Sequence, residues 1–235
     1  MDRITRKNLK TDKFAQEVTH GFEFLTGHSA DIKRYGGIAL AVILIGGGIY
    51  FWMHYRAGVR EAALAQALKV DDGVVGAESP GVMHFNSEDE KNTATVKAYT
   101  DVFTKYRGTL EGSVAGLNLG LFAADHGDTD KAEKIYKEVA DSAPKAYASL
   151  ANQALVDIYQ SQGRDADAEK LIRGMLASPT TTISKEQATI MLARLIGKKN
   201  PDEARRMLQP LATARTDVSK VAVQALADLS RASSR

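Results

Sequence analysis

The pattern of apolar and polar positions changes character twice along the chain. Residues 35–55 read YGGIALAVILIGGGIYFWMHY, 21 positions without a charge, bounded by Lys33 and Arg34 on one side and Arg56 on the other. A helix of that length spans roughly 31 Å, which matches a bilayer hydrocarbon core of about 30 Å. Tyr35, Tyr50, Trp52 and Tyr55 stand near its ends, where amphipathic rings favour the headgroup layer. Core helices of soluble domains seldom run this long without a polar face. The stretch therefore predicts one transmembrane helix, with a short tail before it and a helical domain after it.

Beyond the apolar run the period becomes helical and amphipathic. Val59, Ala62, Ala63, Ala67 and Val70 make one face, so the membrane helix is expected to continue to about residue 70. Residues 73–86, GVVGAESPGVMHFN, hold glycine and proline without a helical period and predict a loop. Ser87 and Glu90 form a capping box before a helix whose face is Val96, Tyr99, Val102, Phe103 and Tyr106, ending near Gly108. Further apolar helices are expected over residues 114–124, 150–159 and 190–196, the last opened by the capping pair Ser184 and Gln187. Residues 221–229 predict a closing helix.

The domain repeats. Ala132, Ala168 and Ala204 lie 36 residues apart in the frames DTDKAEKIY, RDADAEKLI and NPDEARRML. Gly127 and Gly163 precede the first two alanines by five residues, where one helix must stop and the chain turn back. At the third site Asn200, Pro201 and Glu203 supply an N-cap, a first-turn proline and a capping acid instead. Antiparallel helices joined by a short turn approach closely, and alanine leaves room for the crossing. Tyr136, Ile172 and Leu208 follow one helical turn later and fill the space between units. A helix pair cannot bury both its faces alone, so such units stack.

Charge and composition narrow the function. Residues 1–34 carry seven Lys/Arg and five Asp/Glu, and the remaining residues carry 24 of each, so the net charge of +2 lies entirely in the tail. A charge-balanced domain argues against phosphate-held nucleic acid. The basic tail favours a cytoplasmic N-terminus by the positive-inside rule. Within it Phe14, Val18, Phe22 and Leu25 suggest an amphipathic segment for the inner leaflet. Thirty-four residues precede the apolar run, which fits an uncleaved anchor better than a signal peptide. Gly37 and Ala41 hint only weakly at helix pairing in the membrane.

Candidate chemistry is sparse. The absence of cysteine excludes disulfides, thiolate metal sites and a cysteine nucleophile. His20, His28, His54, His84 and His126 show no metal-ligand spacing. Asp125, Asp128 and Asp130 lack the glycine and terminal glutamate placement of a calcium loop and read as helix caps. There is no phosphate loop and no nucleophile elbow. The chain is expected to be neither an enzyme nor a cofactor or metal protein.

Leu119-Gly120, Gly127-Asp128, Ala132, Tyr136 and Pro144, then Leu155, Tyr159, Gly163 and Ala168, with a degenerate third set around Ala204, resemble tetratricopeptide repeats. The resemblance covers about residues 88–231, with a spacing of 36 where 34 is usual. It implies an all-α chain: a single N-terminal transmembrane helix followed by an α-solenoid of about three to four degenerate helix pairs. The expected divisions are a basic cytoplasmic tail (1–34), the transmembrane helix (35–55), a helical extension and loop (56–86) and the repeat domain (87–231).

In such repeats the first helix of each pair lines a groove. Counted at 36 residues, the groove positions are Val114, Leu117, Leu121 and Ala124, then Leu150, Gln153, Asp157 and Gln160, then Glu186, Thr189, Ala193 and Ile196. The Lys and Asn of the carboxylate-gripping type of repeat are missing, because the fifth and ninth positions hold Leu117, Gln153, Thr189 and Leu121, Asp157, Ala193. The apolar half-groove of the first unit is open to a partner segment or covered by the helix bearing Tyr99 and Phe103. The repeat-packing positions are Gly120, Gly127, Ala132, Tyr136, Tyr159, Gly163, Ala168 and Ala204.

The layout as a whole resembles the YfgM family, whose members look like ancillary subunits of the bacterial SecYEG translocon. That resemblance implies an inner-membrane protein with periplasmic repeats and a PpiD-like periplasmic chaperone as partner. The repeat domain is also similar to that of the cell-division coordinator CpoB, which makes an envelope-organising scaffold the second reading. An N-anchored cytosolic receptor for precursors is the third.

Overall fold

The computed structural model describes residues 29–76, 80–214 and 216–233. The tail segment around Phe14, Val18, Phe22 and Leu25 lies outside them. Among the described residues there are nine helices: α1 Ser29–Asp71, α2 Glu88–Lys105, α3 Leu110–Asp125, α4 Thr129–Ser142, α5 Lys145–Ser161, α6 Asp165–Ala177, α7 Lys185–Ile196, α8 Pro201–Thr213 and α9 Ser219–Ser233. The chain divides into two units between Gly58 and Val59, within α1.

In the first unit the apolar part of α1 buries nothing: Ile43 is 68 % exposed and Phe51 72 %. A Cβ added at Gly36, Gly37, Gly46, Gly47 or Gly48 would meet no atom within 4 Å. Tyr35–Asp71 is long and apolar enough to cross a membrane. Near the end of the uncharged run the Arg56 guanidinium lies 4.3 Å over the Trp52 ring, and His54 stacks on Tyr50.

Helix pairs make up most of the second unit. Residues 59–71 of α1 pair with α2, followed by α3/α4, α5/α6, α7/α8 and the closing α9. This adds one pair ahead of the three marked by Ala132, Ala168 and Ala204. Ala67 is buried, the Tyr99 hydroxyl donates to Asp71 Oδ2 at 2.9 Å, and Arg60 Nε donates to Glu111 Oε2 at 3.1 Å. Burial, helped by Asp71, drives the Tyr99 hydroxyl well above its ordinary pKa. Burial opposes ionisation of Glu111, but its own backbone amide, the Thr109 hydroxyl and Arg60 together outweigh this and lower its pKa.

The repeat positions carry the packing. Ala132, Ala168 and Ala204 are all fully buried, as are Ile172 and Leu208, and Tyr136 and Tyr159 are nearly so. A Cβ at Gly120 would lie 2.5 Å from Cε1 of Tyr136, so the glycine is the socket for that ring. Burial pushes the Tyr136 hydroxyl up to about 12, with Asp125 and Asp157 adding to the effect. Gly127 and Gly163 turn the chain with φ of +79° and +72°, the left-handed region that side chains resist. Asp128 Oδ1 accepts from the Lys131 amide at 3.2 Å and caps α4.

Four expectations need correction. Residues 73–86 are not wholly loop: Val74–Val75 and His84–Phe85 pair as two-residue parallel strands β1 and β2, with Phe85 buried over Gly73. The Ser87 box is half formed. Ser87 Oγ accepts from the Glu90 amide, but the Glu90 carboxylate reaches past Ser87 to the amide and side chain of Asn86, both at 2.9 Å. Those bonds hold Glu90 below the usual carboxylate range. Asn200 makes no side-chain capping bond, so α8 starts on Pro201 alone. Ala193 and Ile196 are core residues rather than groove residues, for a reason that lies in the loop ahead of α7.

Candidate interaction surface

The first helix of the first full unit, α3, has two unlike faces. At 100° per residue, Gly112, Gly116 and Gly120 share one side, and Leu110, Val114, Leu117 and Leu121 lie roughly opposite. The glycine side receives neighbours: a Cβ at Gly116 would sit 2.6 Å from Val139 and 2.8 Å from the Phe103 ring. The helix bearing Tyr99 and Phe103 therefore packs on the glycines and does not cover the leucines. Leu121 stays 52 % exposed and Leu110 49 %, while Val114, Leu117 and Ala124 are half-buried beside them.

In α5, Leu150, Gln153 and Gln160 are half-buried and Asp157 is exposed. Neighbouring helices crowd the Asp157 carboxyl and raise its pKa by desolvation. The helix ends in a knot of contacts in the next turn. Arg164 donates to Glu133 on α4 and to Asp167, both at 2.9 Å, and lies 4.0 Å over the Tyr159 ring. The turn of the second unit is thereby tied to the second helix of the first.

The third unit is out of step. The turns at residues 126–128 and 162–164 have three residues, whereas residues 197–200 make four. A longer turn alone would set α7 one place earlier. Its core positions instead sit one place later than a period of 36 predicts, because the connection ahead of α7 is longer, Ala168 to Ala188 being 20 positions where Ala132 to Ala151 is 19. Buried Ala151, Leu155, Val156, Ile158 and Tyr159 correspond at a spacing of 37 to buried Ala188, Leu192, Ala193, Leu195 and Ile196. The groove equivalents of Leu150, Gln153 and Asp157 are Gln187, Ile190 and Arg194. Glu186 is exposed but off this line, and Thr189 is half-buried with its hydroxyl returned to the Lys185 carbonyl at 2.8 Å. The ninth-position row reads Leu121, Asp157, Arg194.

A hollow of about 430 Å³ opens where the step occurs. Gln153 of α5, Ile183 of the preceding loop, Gln187, Ile190, Met191 and Arg194 of α7, and residues 217, 218 and 221 line it. Sequence reasoning missed this site. The signal was the connection ahead of α7, seven residues at 178–184 against two at 143–144, which marks where the register changes.

Residues 32–179 match the tetratricopeptide repeat-like domain family. The chain belongs to that family. No curated protein and no solved structure matches it. The match takes in the apolar helix and the first two full repeat units and stops before α7, where the period breaks. Tetratricopeptide repeat-like domains are scaffolds for protein–protein contacts, so the exposed rows on α3, α5 and α7 are candidates for partner contact rather than for catalysis. Among the described residues no three His, Asp or Glu side chains are placed to share a metal ion.

Proposed function

We propose that the chain is a membrane-tethered scaffold of the bacterial envelope that receives apolar segments of partner proteins on the leucine face of α3. The observation that carries this is the exposure of Leu110 and Leu121 on the face of α3 turned away from its glycines. Grooves between helices recognise apolar segments through such ridges. The uncharged 21-residue run supplies the tether, and confinement to a bilayer raises the effective concentration of the repeats near other membrane proteins. The basic tail supports an orientation with the N-terminus in the cytoplasm and the repeats in the periplasm. The layout favours a place beside the protein-export channel, handing emerging chains to a membrane-anchored chaperone.

The test is a photo-crosslinking residue at Leu117 or Leu121 in living cells, with adducts identified. Translocon subunits, a periplasmic chaperone or exported chains are the expected catch. No adduct at either position, with the same probe active elsewhere on the repeats, overturns the leucine-face assignment. Protease added to intact spheroplasts should digest the repeats. Digestion only in inverted vesicles would place the domain in the cytosol.

A further inference from the structure

The hollow between α5, α7 and α9 differs from the other concavities of the repeat domain. One beside Asn92, Val96, Thr100 and Phe122 has no buried residue in its lining. The one beside Asp165 and Glu169 is lined by charges that satisfy each other, Lys199 with Asp165 and Arg173 with Glu169. The hollow at the break in period has a fixed apolar floor of Ile183 and Ile190, each 3 % exposed, with Met191 and Val221 around it. Gln153, Arg194 and Asp217 stand on its rim, and among the described residues none of the three has a hydrogen-bond or ion-pair partner.

The site is held open by its own frame. Among the described residues α5 and α7 do not pack on each other, whereas α3 packs on α5 and α7 on α9. The loop 178–184 keeps them apart and is itself pinned: Ser149 Oγ meets the Thr180 and Thr182 hydroxyls at 2.8 Å each, and Thr182 donates to the Ala146 carbonyl at 2.7 Å. The Ile183 amide donates to Thr180 Oγ1 at 3.1 Å, and the Thr180 amide to the Ile183 carbonyl at 2.9 Å, which fixes Ile183 as the floor. A preformed pocket of this size with an apolar base and a few convergent polar groups has the character of a ligand site.

We propose that this hollow binds an extended polypeptide segment in which a large aliphatic residue is flanked by an acidic and a basic residue. The aliphatic side chain rests on Ile183 and Ile190. The acid faces Arg194, the base faces Asp217, and the Gln153 amide pairs with the segment's backbone. Opposite charges on the rim make the occupant dipolar, so a purely apolar segment suits the α3 face and a charged one suits this hollow. The inference does not rest on the leucine-face reading, because the two sites share no residue.

The full chain in lipid nanodiscs, with ¹³C-methyl methionine, is titrated with the capped pentapeptide Gly-Glu-Leu-Lys-Gly. The Met191 methyl resonance should move in a saturable way. The same peptide with serine for leucine should leave it in place. Arg194 is exposed, so Arg194→Glu should fold normally and weaken binding roughly fivefold, and a peptide with lysine for glutamate should regain the loss. A Met191 resonance that stays put, or an affinity unchanged by Arg194→Glu, overturns the proposal. Arg194→Glu should leave Leu121 adducts unchanged, so failure at one site is separable from failure at the other.

Discussion

The first and third repeat units are built on one plan and present different chemistry. In the first, a three-residue turn with Gly127 at φ +79° closes tightly, Gly120 receives the Tyr136 ring, and α3 turns leucines outward. In the third, the seven-residue loop 178–184 delivers α7 one position later than the period predicts, and so turned relative to α8. Ala193 is then carried into the core and Arg194 outward. One row across the domain therefore reads apolar, anionic, cationic. A departure from the period is here where the surface is rewritten, and the seven residues of loop 178–184 make a hollow of the same departure.

The sharpest way to break this comparison is a charge at each of two adjacent positions. Ala193 has no exposed surface, so Ala193→Glu buries a carboxylate and should cost more than about 3 kcal/mol. Arg194→Glu should change stability by less than about 0.5 kcal/mol. Urea unfolding of the full chain in detergent measures both. The reverse order would restore the spacing of 36 and remove the register shift.

Truncating the matched core positions comes next. Ile172 and Leu208 lie 36 residues apart and are equally buried. Ile172→Ala should cost about 2–5 kcal/mol and loosen units on both sides, because α6 packs on α5 and α7. Leu208→Ala should show its loss locally, since stacked repeats couple mainly to nearest neighbours. Hydrogen exchange should then speed up over α7–α9 while α3 and α4 keep their protection. Faster exchange over α3 and α4 would mean that the repeats unfold as one block.

How much of this the sequence could reveal follows from the range of each constraint. Gly127, Gly163, Ala132 and Ala168 were legible because a left-handed turn or a close crossing restricts one residue type at one place. The Ser184–Gln187 box was legible because both partners lie within one turn. The placement of Glu90 was not: its carboxylate takes the amide of Asn86 where a capping box would use that of Ser87, and only the folded entry to α2 makes that choice. The hydroxyl cluster of Ser149, Thr180 and Thr182 joins residues 31 and 33 apart, which no helical period announces. Assigning Ala193 and Ile196 to the groove went wrong by one residue in the connection ahead of α7, enough to swing a helical side chain by about 100°.

Glycine substitutions test the tight unit more gently. Gly120→Ala places a methyl against the Tyr136 ring and should cost about 1–3 kcal/mol as that ring is forced to shift. Gly163→Ala meets no neighbour but keeps φ at +72°, so its cost should be that of the backbone alone, about 1 kcal/mol. Adding Tyr136→Phe to Gly120→Ala removes only the hydroxyl and should leave most of the loss in place. Full recovery would assign the clash to the hydroxyl instead of the ring.

The smallest effect concerns the ion pairs between units. Glu133 accepts from Lys137 at 2.6 Å and from Arg164 at 2.9 Å. The Lys137 bond first, then Arg164, holds its carboxyl below the ordinary value of 4.5. A carboxylate with a lowered folded pKa contributes stability that is complete above the unfolded pKa and fades as pH falls through the folded one. Glu133→Gln should therefore lower Tm slightly at pH 7 and make no difference at pH 2, with the two curves converging below about pH 4.5. The corresponding link of the third unit, Lys199 to Asp165 at 3.2 Å, has its lysine 73 % exposed. Asp165→Asn should shift Tm less than Glu133→Gln at low salt, and 0.5 M salt should erase the difference between wild type and Asp165→Asn while sparing part of that for Glu133→Gln. Equal losses from both substitutions would mean that Arg164, packed on Tyr159, gains nothing from its position between two units.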